Sequence, residues 1–358
     1  MVRQFRYMHK KTPKNEFHPI SKVAGFFKKK SDVDAVVFVH GLRGHHQKTW
    51  GDFPVLLESD PDMPRIDIFL WGYKTGFLRP LVDDTQTIGR QLVSSLRVQL
   101  DAENAIHAVG HSMGGLILLE GIVGEMVDQR AQIHPCTALS FVSLFASPVS
   151  GSMAGAVINN TVGNLPVVRK ALNKQIRSLA KGSYCEKLLI QVNHRVYQPK
   201  GNDSSMRKIP IRMIMGTKDA AVSEADRNMT FATYRDPAPL EYNFGHGAIK
   251  LPESHDDDRY KALGNDVKQT LAKSFQKLCE QATSGSLDER DEAEIEIEKR
   301  YGDVFRIRYE EAVGAISSHV ALYSFYRKMI NTRGATEERP AFDIANRVLL
   351  RMRRSGLF

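Results

Sequence analysis

The stretch AIHAVGHSMGGLILL, residues 105–119, decides the fold that we expect for this chain. Apolar residues run into the pattern G-x-S-x-G, and an apolar helical pattern follows at once. This order is typical of a buried strand that turns sharply into a helix, with a nucleophilic serine on the turn. We predict that Ser112 is the nucleophile and that the Met113 N–H, at the start of the helix, faces a developing oxyanion. The alternative is a tight turn in which Ser112 only fills space.

Apolar segments before and after this motif alternate with helical patterns. Such alternation predicts a doubly wound, mostly parallel sheet. The predicted strands cover residues 34–40, 65–73, 105–109, 137–146, 209–216 and 239–244, and the predicted helices cover 83–100, 113–129 and 256–280.

The loop HGLRG, residues 40–44, follows the first predicted strand. A loop of this kind supplies the second oxyanion donor beside such a serine, and we predict that the Leu42 N–H has this role. His40 is predicted to brace the loop. His45 and His46 lack a third ligand at a useful spacing, so we predict loop surface there and not a metal site.

A carboxylate for a catalytic histidine is predicted at Asp219, just after the strand at 209–216. It would accept the Nδ1–H of the histidine and stabilise the imidazolium that forms. Glu224 and Asp226 are weaker candidates, and capping of a turn is the structural alternative for Asp219.

The histidine itself is predicted at His246, which lies between two glycines and completes the order Ser, Asp, His. His255 is the competing candidate. Ser254 and Asp257 have the spacing of a helix N-terminal capping box, which would place His255 in the first turn of the helix at 256–280.

Residues 149–208 interrupt the alternation of strands and helices with one or two amphipathic helical patterns. An insertion here would lie over the carboxyl ends of the strands, where ligands enter open α/β sheets. The segment is either a cap that accepts an acyl chain or a set of crossover helices packed on the sheet, and periodicity does not distinguish the two.

The composition fits a globular protein in a reducing compartment. The chain has 358 residues, 42% of them hydrophobic, and three cysteines without metal-type spacing. Neither a bilayer-spanning run nor a secretory signal is recognisable, so we expect a cytoplasmic protein. The alternatives are a protein peripheral to a membrane and a protein targeted to an organelle.

Basic residues concentrate at the start of the chain, whose net charge is +9. Residues 1–33 are predicted to be a leader that is either solvated or in contact with anionic lipid. No nucleic-acid partner is expected, because the basic residues match no nucleic-acid-binding motif.

Residues 284–358 follow a linker-like stretch, TSGS, and predict a helical region. An acidic run at 288–298 precedes helical patterns at 304–330 and 342–353. Three alternatives stay open for this region: a module for a protein partner or self-association, an interfacial basic helix, or a helical hairpin packed on the hydrolase domain.

Four segments together resemble a known family of serine esterases, namely VFVHGLRG, GHSMGG, MGTKDAAV and the run HGAIKLPESHDD that begins at His246. The family includes the serine-active-site-containing lipase-like proteins and the glycosylphosphatidylinositol deacylase-like enzymes. The resemblance covers about residues 34–280 and implies the α/β-hydrolase fold, with a Ser-His-Asp site that hydrolyses lipid or other carboxylic esters. Its pattern after the histidine favours His246. The C-terminal region has no counterpart in the family.

We therefore expect a leader at 1–33, an α/β-hydrolase domain at 34–283 with a helical cap at 149–208, and a C-terminal helical extension at 284–358. The expected activity is that of a serine esterase or lipase on a small-molecule or lipid ester, without metal or organic cofactor. The alternative is an interaction or signalling module that uses this scaffold and acts through the C-terminal helices.

Overall fold

The computed structural model describes nine parts of the chain: residues 16–19, 33–75, 84–100, 105–127, 139–149, 182–192, 209–219, 238–313 and 347. The strands in these parts are β1 Glu16–Pro19, β2 Ala35–Val39, β3 Asp67–Gly72, β4 Ile106–His111, β5 Leu139–Phe145, β6 Ile211–Gly216 and β7 Leu240–Tyr242. The α-helices are α1 Phe53–Ser59, α2 Thr85–Gln99, α3 Met113–Val127, α4 Gly182–Val192, α5 Asp258–Ser284 and α6 Leu287–Val313, and a 3-10 turn covers Ala248–Lys250.

The seven strands form one sheet in the order β1-β3-β2-β4-β5-β6-β7. Strands β2 to β7 are parallel, and β1 pairs with β3 in the antiparallel sense. Strand β4 lies at the centre, so the turn that follows it opens at the middle of the carboxyl edge of the sheet. This topology is that of the α/β-hydrolase fold.

The central strands are apolar because helices cover the sheet and leave their side chains no contact with water. All residues of β2, β4 and β5 are buried. The six predicted strands are confirmed, with ends that differ by at most two residues. The largest extension is at β4, which continues to His111 and so brings the strand directly up to Ser112.

Strand β1 lies within the segment that we expected to be a solvated or lipid-bound leader. Residues Glu16–Pro19 instead pair with Phe69–Gly72 at the edge of the sheet. The pattern EFHP is too short to be distinguished from loop by periodicity, and an edge strand needs its partner to form.

Helix α4 is the only described element between β5 and β6, and it bears on the predicted cap. Its buried residues Cys185, Leu188, Leu189 and Val192 belong to the main hydrophobic core, and the helix packs against α3. Residues 182–192 therefore form a crossover helix. The rest of the predicted cap at 149–208, apart from Val149, lies outside the described residues.

The start of α5 corrects one detail of the sequence prediction. The capping residue is Asp257, whose carboxylate accepts the Arg259 N–H at 2.9 Å, and the helix begins at Asp258. Ser254 contributes only its carbonyl, to the Asp257 N–H. His255 thus precedes the helix and does not lie in its first turn.

The acidic run is helical, whereas the predicted linker TSGS is helical only in its first two residues. Helix α5 continues to Ser284, and α6 begins at Leu287 after a break at Gly285. Ser286 and Glu289 form a capping box, since the Glu289 carboxylate accepts the Ser286 N–H at 2.7 Å. The acidic run 288–298 therefore lies in the first half of α6, where residues 288–292 are exposed, and is not a separate segment. Within the described ranges, no helix has both the length and the apolar character to cross a bilayer.

Helix α6 packs on the hydrolase domain. The ring of Tyr301 is fully buried 4.7 Å from the Phe275 ring, and its hydroxyl donates to the Leu271 carbonyl at 3.0 Å. Arg300 pairs with the buried Asp34 at 2.9 Å, next to the start of β2. Burial raises the pKa of Asp34, while the Arg300 guanidinium acts in the opposite direction.

Tyr301→Ala should lower the free energy of unfolding by about 3–5 kcal/mol, the usual cost of removing a large buried aromatic ring. Tyr301→Phe keeps the ring and loses only the hydrogen bonds of the hydroxyl, to the Leu271 carbonyl and to Ser274, so it should cost about 1–2 kcal/mol. Urea unfolding of both variants measures the difference. A loss below about 1 kcal/mol for Tyr301→Ala would mean that α6 is not an integral part of the domain.

Candidate active site

The turn after β4 places Ser112 in a strained conformation. Its φ is +55°, in the left-handed region that non-glycine residues rarely adopt. The Ser112 N–H donates to the Phe145 carbonyl at 2.9 Å, and the Gly115 N–H donates to the Ser112 carbonyl at 3.0 Å. These bonds hold the turn in place and direct the hydroxyl away from the sheet.

The glycines of the motif allow the turn to be this tight. A Cβ on Gly110 would lie 2.6 Å from the Gly115 Cα, and a Cβ on Gly114 would lie 2.1 Å from the Val39 carbonyl oxygen. The loop after β2 comes equally close, because a Cβ on Gly41 would lie 2.8 Å from the Ser112 Cβ. Strand, helix and loop therefore meet at Ser112 with no room for further side chains.

Three predicted side chains form one hydrogen-bonded chain. The Ser112 hydroxyl donates to His246 Nε2 at 3.0 Å, and His246 Nδ1–H donates to Asp219 Oδ2 at 2.8 Å. The Asp219 side chain is fully buried, whereas 29% of the His246 side chain is exposed. The structure thus brings together residues from three separate loops, with one solvent-accessible member.

The segments after β6 and β7 are joined by backbone hydrogen bonds, which explains why Asp219 and His246 meet. The Thr217 N–H donates to the Tyr242 carbonyl and the Lys218 N–H to the Phe244 carbonyl, at 2.8 and 3.2 Å. Gly216 permits this approach, since a Cβ there would lie 2.2 Å from the Phe244 oxygen.

His255 lies away from this chain. Its Nε2–H donates to the Leu56 carbonyl at 2.9 Å, and its ring packs edge-on against Tyr260. His246, and not His255, is therefore beside Ser112. The weaker carboxylate candidates, Glu224 and Asp226, lie outside the described residues.

His40 braces the oxyanion loop, which is the loop at residues 40–44 that carries the predicted oxyanion donor Leu42. Its Nδ1–H donates to the Gly41 carbonyl at 2.9 Å, and its ring stacks on Tyr73 with 4.3 Å between centroids. The Tyr73 hydroxyl donates to the His40 carbonyl at 2.7 Å. Burial lowers the pKa of His40 to about 4, so the ring is neutral at physiological pH.

Leu42 and Met113, the predicted oxyanion donors, both lie on backbone segments close to Ser112. Leu42 follows Gly41 on the loop that touches Ser112, and Met113 is the first residue of α3. The first N–H groups of a helix have no acceptor within that helix, and the helix dipole makes them favourable to negative charge. The Met113 N–H thus directly follows the serine at the start of α3, and the role of both N–H groups stays a prediction.

Two further residues near the site were not singled out from the sequence. His111 is buried, and its Nε2 lies 2.9 Å from the His246 carbonyl oxygen. Lys250 is almost buried and donates to the Gly247 carbonyl at 2.7 Å. His111 occupies the variable position of G-x-S-x-G, which carries no signal in the motif itself.

No group of three or more His, Cys, Asp or Glu side chains in the described parts of the chain could hold a metal ion. His45 is exposed and stacks on His46 with 4.3 Å between ring centroids. Partial burial of the ring still lowers the pKa of His45, and the charge of Lys48 lowers it further.

Gly114→Ala should displace α3 from the oxyanion loop. The added methyl group would lie 2.1 Å from the Val39 oxygen and 2.5 Å from the His40 oxygen, and both are backbone atoms. We expect a loss of about 2–3 kcal/mol of unfolding free energy. Gly124→Ala in the same helix is the matched control, because its methyl group would meet only Arg90 Cγ at 3.9 Å. It should stabilise by about 0.4–1 kcal/mol. Equal unfolding midpoints for the two variants would contradict the packing described here.

The fold and the site define an esterase- or lipase-like hydrolase of the α/β-hydrolase fold. Residues 29–229, more than half of the chain, match the family described as "Putative serine esterase", and the chain belongs to that family. The matched segment includes Ser112 and Asp219, whereas His246 lies beyond its end. A search of curated proteins finds no match to the chain.

Three solved structures of lipases and esterases are similar to this chain over most of their own length. A lipase of Bacillus licheniformis, BlEst2, has 16% identity and a TM-score of 0.42, with 71% of this chain and 97% of that chain covered. A monoacylglycerol lipase of Paleococcus ferrophilus has 14% identity and a TM-score of 0.40, covering 65% and 93%. A lipase-esterase related protein of Clostridium acetobutylicum has 13% identity and a TM-score of 0.41, covering 72% and 100%. At these scores the likenesses say nothing of substrate.

Proposed function

We propose that this protein is a serine ester hydrolase that works through Ser112, His246 and Asp219. The observation that carries the proposal is the hydrogen-bonded chain of these three residues, with Ser112 on a strained turn at the centre of the sheet edge. A serine hydroxyl is a weak nucleophile until an adjacent base removes its proton. His246 Nε2, at 3.0 Å from Ser112 Oγ, is in the right place to do so.

In the first half of the reaction, Ser112 Oγ attacks the ester carbonyl as His246 takes its proton. The carbonyl oxygen becomes an oxyanion, and the N–H groups of Leu42 and Met113 are the proposed donors to it. Asp219 stabilises the imidazolium and keeps the ring in the tautomer that presents Nε2 to the serine. When the tetrahedral intermediate collapses, the bond to the alcohol breaks and His246 gives the alcohol its proton, which leaves an acyl-serine.

In the second half, water attacks the acyl-serine carbonyl, and His246 accepts a proton from that water. Collapse of the second intermediate breaks the bond to Ser112 Oγ, and the proton on His246 returns to that oxygen. The products are a carboxylic acid and the free serine. None of these steps calls for a metal ion or an organic cofactor.

The proposed substrates are carboxylic esters, and lipid esters are the favoured class because the sequence resembles lipase-like serine esterases. A series of p-nitrophenyl esters of increasing acyl length, with and without anionic phospholipid vesicles, tests both statements. We expect hydrolysis by the wild-type protein, and faster turnover of long chains with vesicles if the substrate is a membrane lipid. Preference for short chains would restrict the protein to soluble esters. No hydrolysis above the rate of a Ser112→Ala variant with any ester would contradict the proposal.

The alternative, an interaction module that acts through the C-terminal helices, has less support from the described residues. The apolar side of α6 is occupied by the hydrolase domain, with Ile297, Tyr301 and Val304 all buried. Light scattering on the full-length protein tests it directly. A defined assembly combined with absence of ester hydrolysis would favour the alternative.

A further inference from the structure

The backbone that carries His246 is held by an unusual set of side-chain donors. Three consecutive carbonyls, of His246, Gly247 and Ala248, accept hydrogen bonds from His111, Lys250 and Arg259 at 2.9, 2.7 and 2.7 Å. Loops at active sites are usually the mobile part of the fold. Here each peptide of the loop after His246 has a donor of its own.

Only one of these donors comes from the serine side of the site. Lys250 lies three residues beyond its acceptor, and Arg259 is fixed at the start of α5 by its ion pair with Asp257 and by the Phe244 ring, 3.8 Å from its guanidinium carbon. His111 instead ends β4 and directly precedes Ser112. Its bond therefore links the turn at Ser112, the nucleophile turn, to the loop that carries His246, the histidine loop. The two bonded residues are 135 positions apart in the sequence.

The His111 ring has little freedom to turn. It is 6% exposed, packs edge-on to Trp50 with 6.2 Å between centroids, and lies 4.9 Å from the His246 ring. On its other side, a Cβ added to Gly41 would lie 3.3 Å from His111 Nδ1. The ring is thus enclosed by the oxyanion loop, by Trp50 and by the histidine loop.

The protonation state of His111 follows from this environment. Burial holds the pKa of His111 well below its usual range, and the positive charge of Lys250 lowers it further. A neutral imidazole has one N–H, and a carbonyl oxygen only accepts. The proton is therefore on Nε2 and is donated to His246.

We propose that His111 is the positioning residue of the site, whose Nε2–H fixes the backbone of His246 so that the imidazole stays within reach of Ser112. This inference rests on the proposed function, because the bond that it protects is the 3.0 Å contact from Ser112 Oγ to His246 Nε2. Misplacement of a catalytic group by about 1 Å can cost about a hundredfold in rate. The role concerns the rate of reaction and not the binding of the ester.

His111→Phe keeps a ring of similar size and removes the donor, so kcat should fall about tenfold to a hundredfold while KM changes by less than about twofold. His111→Gln places an amide N–H near the position of Nε2 and should restore kcat to within about fivefold of wild type. The matched control is His255→Phe. It loses a ring N–H bond to a carbonyl of the same 2.9 Å length, far from the site, and should leave kcat unchanged.

Nitrogen-15 NMR of histidine side chains gives a readout that does not depend on activity. We expect His111 as the Nε2–H tautomer, unchanged between about pH 6 and 8, given its lowered pKa. The Nδ1–H tautomer, or wild-type kcat in His111→Phe, would overturn the inference. An inactive wild-type protein in which NMR still shows this tautomer would instead count against the proposed function.

Discussion

Asp219→Asn should lower kcat by about ten-thousandfold, with little change in KM. Asp219 Oδ2 accepts the Nδ1–H of His246 at 2.8 Å, and this bond leaves Nε2 unprotonated and ready to take the serine proton. An asparagine amide can instead donate to Nδ1, which moves the ring proton to Nε2. The imidazole would then face Ser112 with a proton and could not act as a base. Steady-state hydrolysis of the preferred p-nitrophenyl ester measures the effect.

Asp60→Asn is the matched control for the loss of a buried carboxylate. Asp60 accepts a hydrogen bond from the Tyr260 hydroxyl at 2.6 Å and forms an ion pair with Lys268 at 2.8 Å. It is not part of the hydrogen-bonded chain that contains Ser112. Its substitution should reduce stability and leave kcat close to that of wild type. If Asp219→Asn retained more than about a tenth of wild-type kcat while remaining folded, Asp219 would not be the partner of a catalytic base.

Ser112→Ala should remove hydrolysis almost entirely, by about a millionfold in kcat, because no covalent intermediate can form. The substitution does not relieve the backbone strain at position 112, because the left-handed φ of +55° is unfavourable for alanine as well. The folded state should therefore be as stable as wild type within about 1 kcal/mol. Ester turnover and thermal unfolding of the same sample separate a chemical defect from a structural one. Residual hydrolysis near the wild-type rate would place the nucleophile elsewhere.

The centre of the fold could be predicted because its signals are local. G-x-S-x-G between an apolar strand and an apolar helix specifies the turn, and packing at Gly110 and Gly114 shows why only glycine fits there. Asp219 and His246 were found from their positions after strands and from their order in the chain. The choice of His246 over His255 as the catalytic histidine depended on a helix start that was predicted two residues too early.

Features that depend on distant partners were missed. Strand β1 exists through its pairing with β3, and four residues of mixed polarity carry no periodic signal. The acidic run was not joined to the predicted helix at 304–330 because it begins with five charged residues, 288–292, which show no apolar stripe. The Ser286 and Glu289 capping box was present in the sequence as S-x-x-E and would have placed the start of α6.

His111 shows most clearly what a motif cannot contain. Its position in G-x-S-x-G is variable, and its partner is a backbone carbonyl that no residue type identifies. Only the meeting of the nucleophile turn with the histidine loop gives this side chain a role. The predicted cap remains a prediction, since α4 is its only described helix and packs as a crossover element.

The most direct test of the account is covalent labelling by a fluorophosphonate probe followed by mass spectrometry of the labelled peptide. A serine activated by an adjacent base should react through its Oγ and carry the phosphonyl group. We predict a single adduct on Ser112 in the wild-type protein and none in Ser112→Ala. An adduct on another residue, or labelling that persists in Ser112→Ala, would contradict the assignment of Ser112 as the nucleophile.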